Sequence, residues 1–295
     1  MSRVLVTGSN GLVGRHVVRA LLDEGCSVLG MDALGSTLLH KNYAHVKIDL
    51  TDALAVEEVF DSHEISHVIH LAAIAHRAGQ RDLSWSRYYR VNTLCAKTIF
   101  ECAAARKIPV FFSSTVDVYG IAEETVTAGT RPRPIGYYAR SKRLAEEALR
   151  SICADTPYTI ARFAPVYCED SMRDIRKRYF LRYPKWCYMV GGGLSYEFLS
   201  VENIAKAVTA WVREPRGQKT VLLSDEKRIS AAELIEAERR RGLEIRTLRL
   251  PLWPFRLLKA GIKLVFGGQS YLGLVVSKIA FPLEITREKE LGYGL

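Results

Sequence analysis

The chain has 295 residues, of which 48% are hydrophobic, so it can bury the core of one large domain or of two smaller ones. An apolar strand begins at residue 3, which leaves no room for a signal peptide, and no apolar run reaches the roughly 18 residues of a membrane span. The six cysteines contain no C-x-x-C pair and suit a reduced, cytoplasmic protein, and no His/Cys cluster has the spacing of metal ligands. The net charge of +10 favours anionic ligands or surfaces, but no nucleic-acid-binding motif accompanies it.

Strand-like apolar runs alternate with helical periodicity over residues 1–165. This alternation predicts an α/β fold, a Rossmann-type doubly wound parallel sheet with helices on both faces, in which ligands bind at the carboxyl ends of the strands. The predicted strands cover residues 3–7, 27–31, 45–48, 66–71, 109–113 and 158–163, and the predicted helices cover residues 12–24, 53–62, 84–106 and 138–154.

Three glycines, Gly8, Gly11 and Gly14, follow the first predicted strand and lead into a helix. The first permits a tight turn, the second lets backbone approach a diphosphate, and the third lets the helix pack closely on the strand. The helix N-terminus then offers N–H groups to phosphate. Asp32 ends the next strand, about 20 residues further on, where an acid bonds the adenine ribose of NAD and repels the additional phosphate of NADP. These features predict NAD as the cofactor, although Asp32 can also be a solvated loop acid.

Small and polar residues follow the next three strands as well. After the third strand, Asp49 can accept a hydrogen bond from the adenine amino group or can cap the helix at 53–62. The fourth strand leads into His70-Leu-Ala-Ala73, where the alanines allow backbone to approach the cofactor and His70 is expected to be structural. The fifth strand leads into the hydroxyl-rich stretch Ser113-Ser-Thr-Val-Asp-Val-Tyr-Gly120.

Tyr138 and Lys142 are four residues apart at the start of a predicted helix and therefore share one helix face. A tyrosine phenol has a pKa near 10, so about 4 kcal/mol is needed for it to act as a base near neutrality. A lysine ammonium about 6 Å away supplies roughly 2–3 kcal/mol, and the positive nicotinamide ring of NAD+ can supply the rest. The spacing alone is a weak signal, but its place after a dinucleotide loop and a hydroxyl-rich strand end makes it a candidate catalytic pair.

The alternation loosens beyond residue 165. Strands are predicted at 195–199, 220–224 and 245–250, and helices at 201–212 and 230–241. We therefore expect an NAD-binding domain over 1–165, with a returning strand and helix near 199–224, and a smaller α/β substrate-binding region over 166–198 and 225–295. Segment 251–283 is apolar with scattered cations, and it predicts either a helical cap over a substrate cleft or an amphipathic surface that touches a membrane or a lipid-linked substrate. Cations are concentrated at 173–185 and 239–241. Each cluster can be the solvated face of a helix or part of a ligand site.

These motifs together resemble the extended short-chain dehydrogenase/reductases, in particular the NAD-dependent epimerase/dehydratase family. The resemblance runs almost from end to end. It is carried by Thr7-Gly-Ser-Asn-Gly-Leu-Val-Gly14, Asp32, Asp49-Leu50, His70-Leu-Ala-Ala73, Val91-Asn92, Ser113-Ser-Thr-Val-Asp-Val-Tyr-Gly120, Tyr138-Ala-Arg-Ser-Lys142, Arg162-Phe-Ala-Pro-Val-Tyr167, Leu199-Ser-Val-Glu-Asn-Ile-Ala-Lys-Ala-Val208 and Glu290-Leu-Gly-Tyr293.

The resemblance implies roles for individual residues. Thr115, Tyr138 and Lys142 match the family's catalytic set, in which the tyrosine is the base and the threonine bonds the reacting sugar oxygen. The implied NAD contacts are Gly8, Asn10, Gly11, Leu12, Gly14, Asp32, Asp49, Leu50, Leu71, Ala72, Ala73, Asn92, Ser113, Tyr138, Lys142, Phe163 and Pro165. The implied activity is a sugar 4-epimerase of polysaccharide biosynthesis, acting on a nucleotide-diphosphate-linked or polyprenyl-diphosphate-linked sugar through a transient 4-keto intermediate, in a homodimer built on the helices near 84–106 and 138–154.

The chain departs from the family pattern around the substrate. Tyr196 stands where many nucleotide-sugar epimerases place an arginine on the diphosphate, and Ala164 and Cys168 replace a usual asparagine and glycine. We therefore expect Arg173, Arg176 or Lys177 to bind the diphosphate, with Thr115, Asp117 and Tyr196 as further substrate contacts.

Three other functions remain open at this point. An NAD(P)H-dependent 4-keto-sugar reductase would use the same residues with net oxidation of the cofactor. A 4,6-dehydratase usually has a glutamate after the catalytic threonine, whereas this chain has the shorter Asp117. A non-catalytic NAD-sensing protein usually lacks the tyrosine or the lysine, and both are present here.

Overall fold

The computed structural model describes residues 3–75, 84–168, 173–176, 178–181, 186–215 and 217–286. The segment Glu290-Leu-Gly-Tyr293 of the family resemblance lies outside the described residues. The strands in chain order are β1 (Arg3–Thr7), β2 (Val28–Asp32), β3 (Tyr43–Lys47), β4 (Ile65–His70), β5 (Val110–Thr115), β6 (Tyr158–Phe163), β7 (Val166–Tyr167), β8 (Trp186–Val190), β9 (Ser195–Tyr196), β10 (Leu199–Ser200), β11 (Lys219–Leu223), β12 (Ile229–Ser230) and β13 (Arg246–Leu250).

The helices connect these strands and cover the sheet. In chain order they are α1 (Leu12–Asp23), α2 (Ala53–Ser62), α3 (Trp85–Tyr88), α4 (Cys95–Ala105), α5 (Tyr137–Ile152), α6 (Arg173–Arg176), α7 (Val201–Arg213), α8 (Ala231–Arg240), α9 (Trp253–Phe266) and α10 (Tyr271–Ala280). A π-helical turn, Tyr89–Leu94, joins α3 to α4, so the helix predicted at 84–106 is continuous but not uniform. Such turns are frequent at functional sites, and this one carries Asn92.

Seven parallel strands form the central sheet, in the spatial order β11-β6-β5-β4-β1-β2-β3. The chain runs outward from β1 in one direction through β2 and β3, and from β4 in the other direction through β5, β6 and β11. The order reverses at the switch point between β1 and β4, and ligands of doubly wound sheets bind at the carboxyl ends of the strands beside such a point. The predicted fold class is therefore confirmed.

Both faces of the sheet are covered, because successive strand residues point to opposite sides. Val4 and Val6 pack with α1 and α7 in one buried cluster, whereas Leu5 packs with α2, α4 and α5 in a second one. All six cysteines are free thiols, and Cys153 lies in the second cluster. The apolar runs that predicted the strands are thus buried on both sides, as expected for a parallel sheet.

The C-terminal part differs in detail from the prediction. The single strand predicted at 195–199 is two short strands with different partners, because β9 pairs antiparallel with β12 and β10 pairs parallel with β7. An unpredicted strand, β8, pairs in parallel with β13. A third buried cluster, which contains Cys187, fills this region beneath α8.

Segment 251–283 forms two helices, α9 and α10, joined by a short turn. Among the described residues, we find no helix with both the length and the apolar character needed to cross a bilayer. Residues on one side of α10 pack toward the carboxyl ends of β5 and β6, whereas much of α9 is exposed. The segment therefore has both a side that packs on the protein and an exposed apolar side, while its roles as a cap over a substrate cleft and as a surface for a membrane or a lipid-linked substrate stay predictions.

Candidate active site

The glycine loop packs against the chain that follows β4. Gly8 has a φ of +69°, and a Cβ atom added there would lie 2.8 Å from the Cα and N atoms of Ala72. A Cβ atom at Gly14 would lie 2.0 Å from the carbonyl oxygen of Gly8. Both positions therefore require glycine. Within the described part of the chain, no side chain caps the N-terminus of α1 at Gly11.

Asp32 connects the glycine loop to the loop after β2. Its Oδ2 accepts a hydrogen bond from the backbone N–H of Asn10 at 3.0 Å, and its Oδ1 accepts one from the N–H of Leu34 at 3.0 Å. The amide of Asn10 donates to the carbonyl of Leu34 at 2.7 Å. A carboxylate offers about four acceptor sites, so Asp32 is fixed in place and keeps acceptor capacity for ribose hydroxyls.

The structure corrects one alternative for Asp49. The cap of α2 is Asp52, whose carboxylate accepts from the N–H of Ala55 at 3.2 Å. Asp49 is exposed and accepts from the N–H of Thr51 at 2.9 Å, and hydrogen bonds from Thr51 hold the pKa of Asp49 below its usual value. The adenine contact proposed for Asp49 and its neighbour Leu50 stays a prediction.

His70 is a buried, neutral residue at the end of β4. Burial, aided by the charge of Lys142, lowers its pKa to about 3. Its Nδ1 lies 2.8 Å from Oγ1 of Thr7, and the hydroxyl of Ser113 donates to its carbonyl oxygen at 3.1 Å. The same Thr7 accepts, through its carbonyl oxygen, from the N–H of Leu71 at 3.2 Å. His70 thus holds three strand ends together, as expected for a structural histidine.

Tyr138 and Lys142 lie in the first two turns of α5. Lys142 is 1% exposed, and its Nζ lies 4.4 Å from the ring centroid of Phe112 on β5. Burial lowers the pKa of Lys142 to about 7, against the opposing effect of the Glu146 carboxylate. Tyr138 is half-buried, with its ring 6.5 Å from that of Tyr88. A buried amine that titrates near neutrality is typical of a catalytic site rather than of a structural one.

We expect Lys142→Met to stabilise the cofactor-free protein while it removes the ammonium. The pKa of Lys142 is about 7 in the folded state and near 10.4 when unfolded, so the unfolded state binds more protons between these values. The native fold therefore gains stability as the pH rises through this window. Below pH 7 the buried ammonium destabilises the fold to its full extent. The variant should gain on the order of 2 kcal/mol near pH 6 in urea unfolding, and less near pH 10. The same gain in the exposed variant Lys97→Met would contradict this explanation.

The third candidate catalytic residue, Thr115, ends β5. Its Oγ1 accepts from the N–H of Asp117 at 3.2 Å, which leaves the threonine hydroxyl proton available for donation. The strand and α5 are held together beside it, because the hydroxyl of Ser114 donates to Oε1 of Glu146 at 2.6 Å. Glu146 in turn accepts two bonds from Arg162 on β6, at 2.8 and 2.6 Å. Thr115, Tyr138 and Lys142 are thus carried by elements with fixed relative positions.

Asn92 connects the loop after β4 to α5. Its Oδ1 accepts from the N–H of Ile74 at 2.8 Å, and its Nδ2 donates to the carbonyl of Ile74 and to Oγ of Ser141, each at 3.0 Å. Asn92 is 1% exposed. Its side chain therefore connects the loop after β4 to α5, and its contact with the cofactor stays a prediction.

A cleft lies at the carboxyl ends of β5 and β6, where α10 covers them. Its lining includes Asp117, Pro165, Arg178, Tyr196 and Lys278. Lys278 forms an ion pair with both carboxylate oxygens of Asp117, at 2.8 and 3.0 Å. The Tyr196 hydroxyl donates to a backbone carbonyl of α10 at 2.9 Å, and its ring centroid lies 5.5 Å from the guanidinium of Arg178. Two predicted substrate residues, Asp117 and Tyr196, therefore face one cleft.

The structure distributes the basic cluster in a way that the sequence did not reveal. Arg176 donates two hydrogen bonds to Glu238 on α8, both at 2.7 Å, so its charge is already paired with a carboxylate. The side chain of Arg173 and the whole of Lys177 lie outside the described part of the chain. Arg178, two positions further on, lines the cleft. Lys278 was not among the residues predicted for the site either. The sequence signal for it was its position as a cation within a mostly apolar segment.

The remaining predicted cofactor residues lie at strand ends. Phe163 ends β6 and is 7% exposed. Pro165 lies two residues further on, and its carbonyl accepts from the N–H of Leu199 at 3.1 Å.

Within the described ranges, no group of three or more His, Cys, Asp and Glu side chains could hold a metal ion.

Comparison with known proteins shows sequence relatives of this chain. The sequence model of the NAD dependent epimerase/dehydratase family matches residues 4–222. The probable UDP-arabinose 4-epimerase 1 of Oryza sativa subsp. japonica is 30% identical over 188 residues, which are 58% of this chain and 44% of that protein. The UDP-glucose 4-epimerase of Azospirillum brasilense is 34% identical over 155 residues, which are 50% and 44% of the two chains. The matched region thus spans less than half the length of these relatives.

Solved structures share the fold at lower identity. A UDP-Glc/GlcNAc 4-epimerase from Campylobacter jejuni superposes with a TM-score of 0.72 at 22% identity, over 85% of this chain and 87% of that one. MoeE5 in complex with UDP-glucose and NAD has a TM-score of 0.69 at 24% identity, over 84% and 85%.

Proposed function

Because the chain belongs to the NAD-dependent epimerase/dehydratase family, we propose that it is a 4-epimerase of UDP-linked sugars that works through a transient 4-keto sugar. The observation that carries the proposal is the set of Thr115 on β5 and Tyr138 with the buried Lys142 on α5. The curated relatives named as UDP-glucose and UDP-arabinose 4-epimerases support the reaction and the carrier.

The glycine loop and Asp32 fit NAD, the cofactor of the family. Side-chain atoms at Gly8 and Gly14 would meet backbone, so the loop offers a bare main-chain surface to a diphosphate. Gly8, Asn10, Gly11, Leu12 and Gly14 would hold that group, and Asp32 would hold the adenine ribose. Bound NAD supplies the reversible removal of a hydride from C4 of the sugar.

We expect Gly14→Ala to weaken both the fold and the binding of NAD. The new methyl group would lie 2.0 Å from the carbonyl oxygen of Gly8, so the loop must shift. The expected cost is about 1–3 kcal/mol of stability and at least about tenfold in NAD affinity, measured by thermal unfolding and by titration calorimetry. Gly217→Ala is the control, since a Cβ atom there meets nothing within 4 Å. Unchanged NAD affinity in Gly14→Ala would contradict the assignment of the loop.

In the proposed mechanism Tyr138 removes the proton of the C4 hydroxyl and returns it after the sugar has turned over. The ammonium of Lys142, one helical turn away, favours the phenolate of Tyr138 through its charge. Thr115 donates a hydrogen bond to the C4 oxygen, which stabilises both the hydroxyl and the ketone. The proton and the hydride taken from C4 would both return to the sugar, so no external reductant would be consumed.

The cleft under α10 is the proposed site of the sugar and its diphosphate. Arg178 provides a positive charge in its wall, and Tyr196 and Asp117 flank it. Asp117 already binds Lys278 through both oxygens, which favours epimerisation over a dehydration that would need this carboxyl group as an acid. Arg173 and Arg176 remain predicted diphosphate contacts. A polyprenyl diphosphate is the alternative carrier.

The proposal also covers the organisation of the protein. Residues 1–165, with the strand and helix near 199–224, would bind NAD, and residues 166–198 and 225–295 would bind the substrate. The cytoplasmic homodimer implied by the family resemblance would use α4 and α5.

One experiment tests the function directly. The purified protein is denatured to release any bound cofactor, which is identified by mass, and the native protein is incubated with UDP-hexoses, UDP-hexosamines and UDP-arabinose. We expect bound NAD and an exchange of C4 epimers by NMR without a change in NADH absorbance. Consumption of NADH or NADPH that depends on a 4-keto sugar would instead establish a reductase. Bound NAD without turnover of any UDP-sugar would reject the UDP carrier, and polyprenyl-diphosphate sugars would be tried next.

A further inference from the structure

The hairpin of α9 and α10 exposes a continuous apolar face. On α9 the large apolar side chains open to solvent are Trp253, Leu257, Leu258, Leu264, Val265 and Phe266. Scattered exposed hydrophobic residues are normal on a protein surface, but a contiguous patch marks an interaction site. Leu264 is 88% exposed, more than expected for a residue that covers a core.

The exposed residues follow helical spacing. Trp253, Leu257 and Leu264 are four and seven residues apart, and Leu258 and Val265 are also seven apart, so they form one broad stripe. The side of α9 that packs on the protein is narrow, and within the described residues Ile262 is its one fully buried member. The apolar stripe therefore faces away from the protein core.

Positive charge borders this stripe. Arg256, Lys259 and Lys263 follow each other at spacings of three and four, which places them along one edge of α9. Lys259 also lies 4.5 Å from the ring centroid of Phe281, and Lys263 forms an ion pair with Glu123 at 2.9 Å. The sequence from residue 251 to 283 contains no aspartate or glutamate. Apolar and cationic stripes on one helix without acids are the features of helices that lie in the interface of an anionic bilayer.

We propose that the α9–α10 hairpin docks the protein on the surface of an anionic membrane. The apolar stripe would enter the boundary between headgroups and acyl chains, and the cationic edge of α9 would face the lipid phosphates. Trp253 and Tyr271, both exposed, are residue types enriched at this boundary. With 14 residues, α9 is too short to cross the bilayer and would lie along its surface.

A second copy of the chain fits this face less well. A twofold interface brings the same patch of both subunits together, so the cationic edges of two α9 helices would meet with few acids to offset them. An anionic bilayer matches both the apolar area and the charge.

The opposite side of α10 belongs to the cleft. Leu274, Ser277 and Lys278 line it, whereas Tyr271 and Leu272 of the same helix are exposed. Docking would therefore place one wall of the cleft next to the lipid surface.

The test is flotation of the full-length protein with vesicles, without substrate or added cofactor. One set of vesicles contains phosphatidylcholine, and the other contains equal parts of phosphatidylcholine and phosphatidylglycerol. We expect binding to the anionic vesicles that weakens with salt. Leu257→Glu and Leu264→Glu should lower the partition coefficient by about tenfold or more each, and Arg256→Gln by about fivefold on anionic vesicles.

Leu54→Glu is the matched control, because Leu54 is an exposed helical leucine elsewhere, 78% open to solvent. Failure of the wild-type protein to float with anionic vesicles overturns the proposal, as does an equal loss of binding in Leu54→Glu. Sedimentation equilibrium gives an independent measurement of the oligomeric state. If the Leu264→Glu variant had half the mass of the wild-type assembly, the face would be an interface between copies and the proposal would be wrong. Epimerisation of UDP-sugars is measured separately on the same variants, so failure of the proposed function does not affect this outcome.

Discussion

Replacing Tyr138 with phenylalanine should slow the interconversion of C4 epimers by about a thousandfold, the range expected for loss of a positioned acid–base group. The phenylalanine ring keeps the contact with Tyr88 and lacks only the hydroxyl that we propose as the acceptor of the C4 proton. Binding of the UDP-sugar should change little, because the ring and the cleft remain. Epimer exchange by NMR gives the rate, and calorimetry gives the affinity.

The neighbouring residue provides the control. Tyr137 starts the same helix and is 47% exposed, with its ring 5.9 Å from that of Trp85. Tyr137→Phe should retain nearly the full rate. If Tyr138→Phe exchanged the epimers at the original rate, the proposed mechanism would be wrong even if the protein proved to be an epimerase.

Replacing Glu146 with glutamine should cost about 3–5 kcal/mol of stability, since a buried arginine would lose its countercharge. Both side chains are buried, with Glu146 0% and Arg162 2% exposed, and two hydrogen bonds join them. Arg162 also donates to the Tyr119 hydroxyl at 2.6 Å. Urea unfolding of the cofactor-free protein measures the loss, and a second change, Arg162→Met, should restore part of it.

The pH dependence gives a second readout for the same pair. Burial raises the pKa of the Glu146 carboxyl, but the hydrogen bonds and charge of Arg162, with help from Ser114 and Arg150, outweigh this and lower it. The ion pair therefore stabilises the fold above the unfolded pKa, near 4.3, and this contribution is lost as the pH falls through the lower folded pKa. The glutamine variant should lack this acid-induced loss.

A surface pair provides the comparison. Glu101 pairs with Lys97 at 3.5 Å, with both side chains about half exposed. Glu101→Gln should cost less than about 1 kcal/mol. Equal effects at Glu101 and Glu146 would show that burial does not set the strength of the inner pair.

The central fold could be predicted because its signals are local. The apolar runs, the glycines at 8, 11 and 14, and the spacing of Tyr138 and Lys142 each depend on residues close in sequence. Parallel strands then bring their carboxyl ends together whatever lies between them. This is why the elements that carry the candidate catalytic residues could be placed without coordinates.

The remainder depends on contacts between distant residues. Lys278 meets Asp117 across 161 positions, and Arg176 meets Glu238 across 62. Nothing local distinguishes Arg178, in the cleft wall, from Arg176, which is bound to α8.

Strand β8 was not predicted because its partner, β13, lies far along the chain. Its short apolar run alone does not distinguish a strand from a buried turn.

The buried cysteines give this protein internal reporters of opening. Cys153 and Cys187 are both buried. Burial raises the pKa of each to about 11, so neither thiol is ionised to a useful extent at neutral pH. Thiol reagents therefore react at a rate set by local unfolding. Cys153 lies in the cluster beneath the central sheet and Cys187 in the C-terminal cluster. Labelling followed by peptide mass analysis would thus time the opening of each region separately, without any engineered probe.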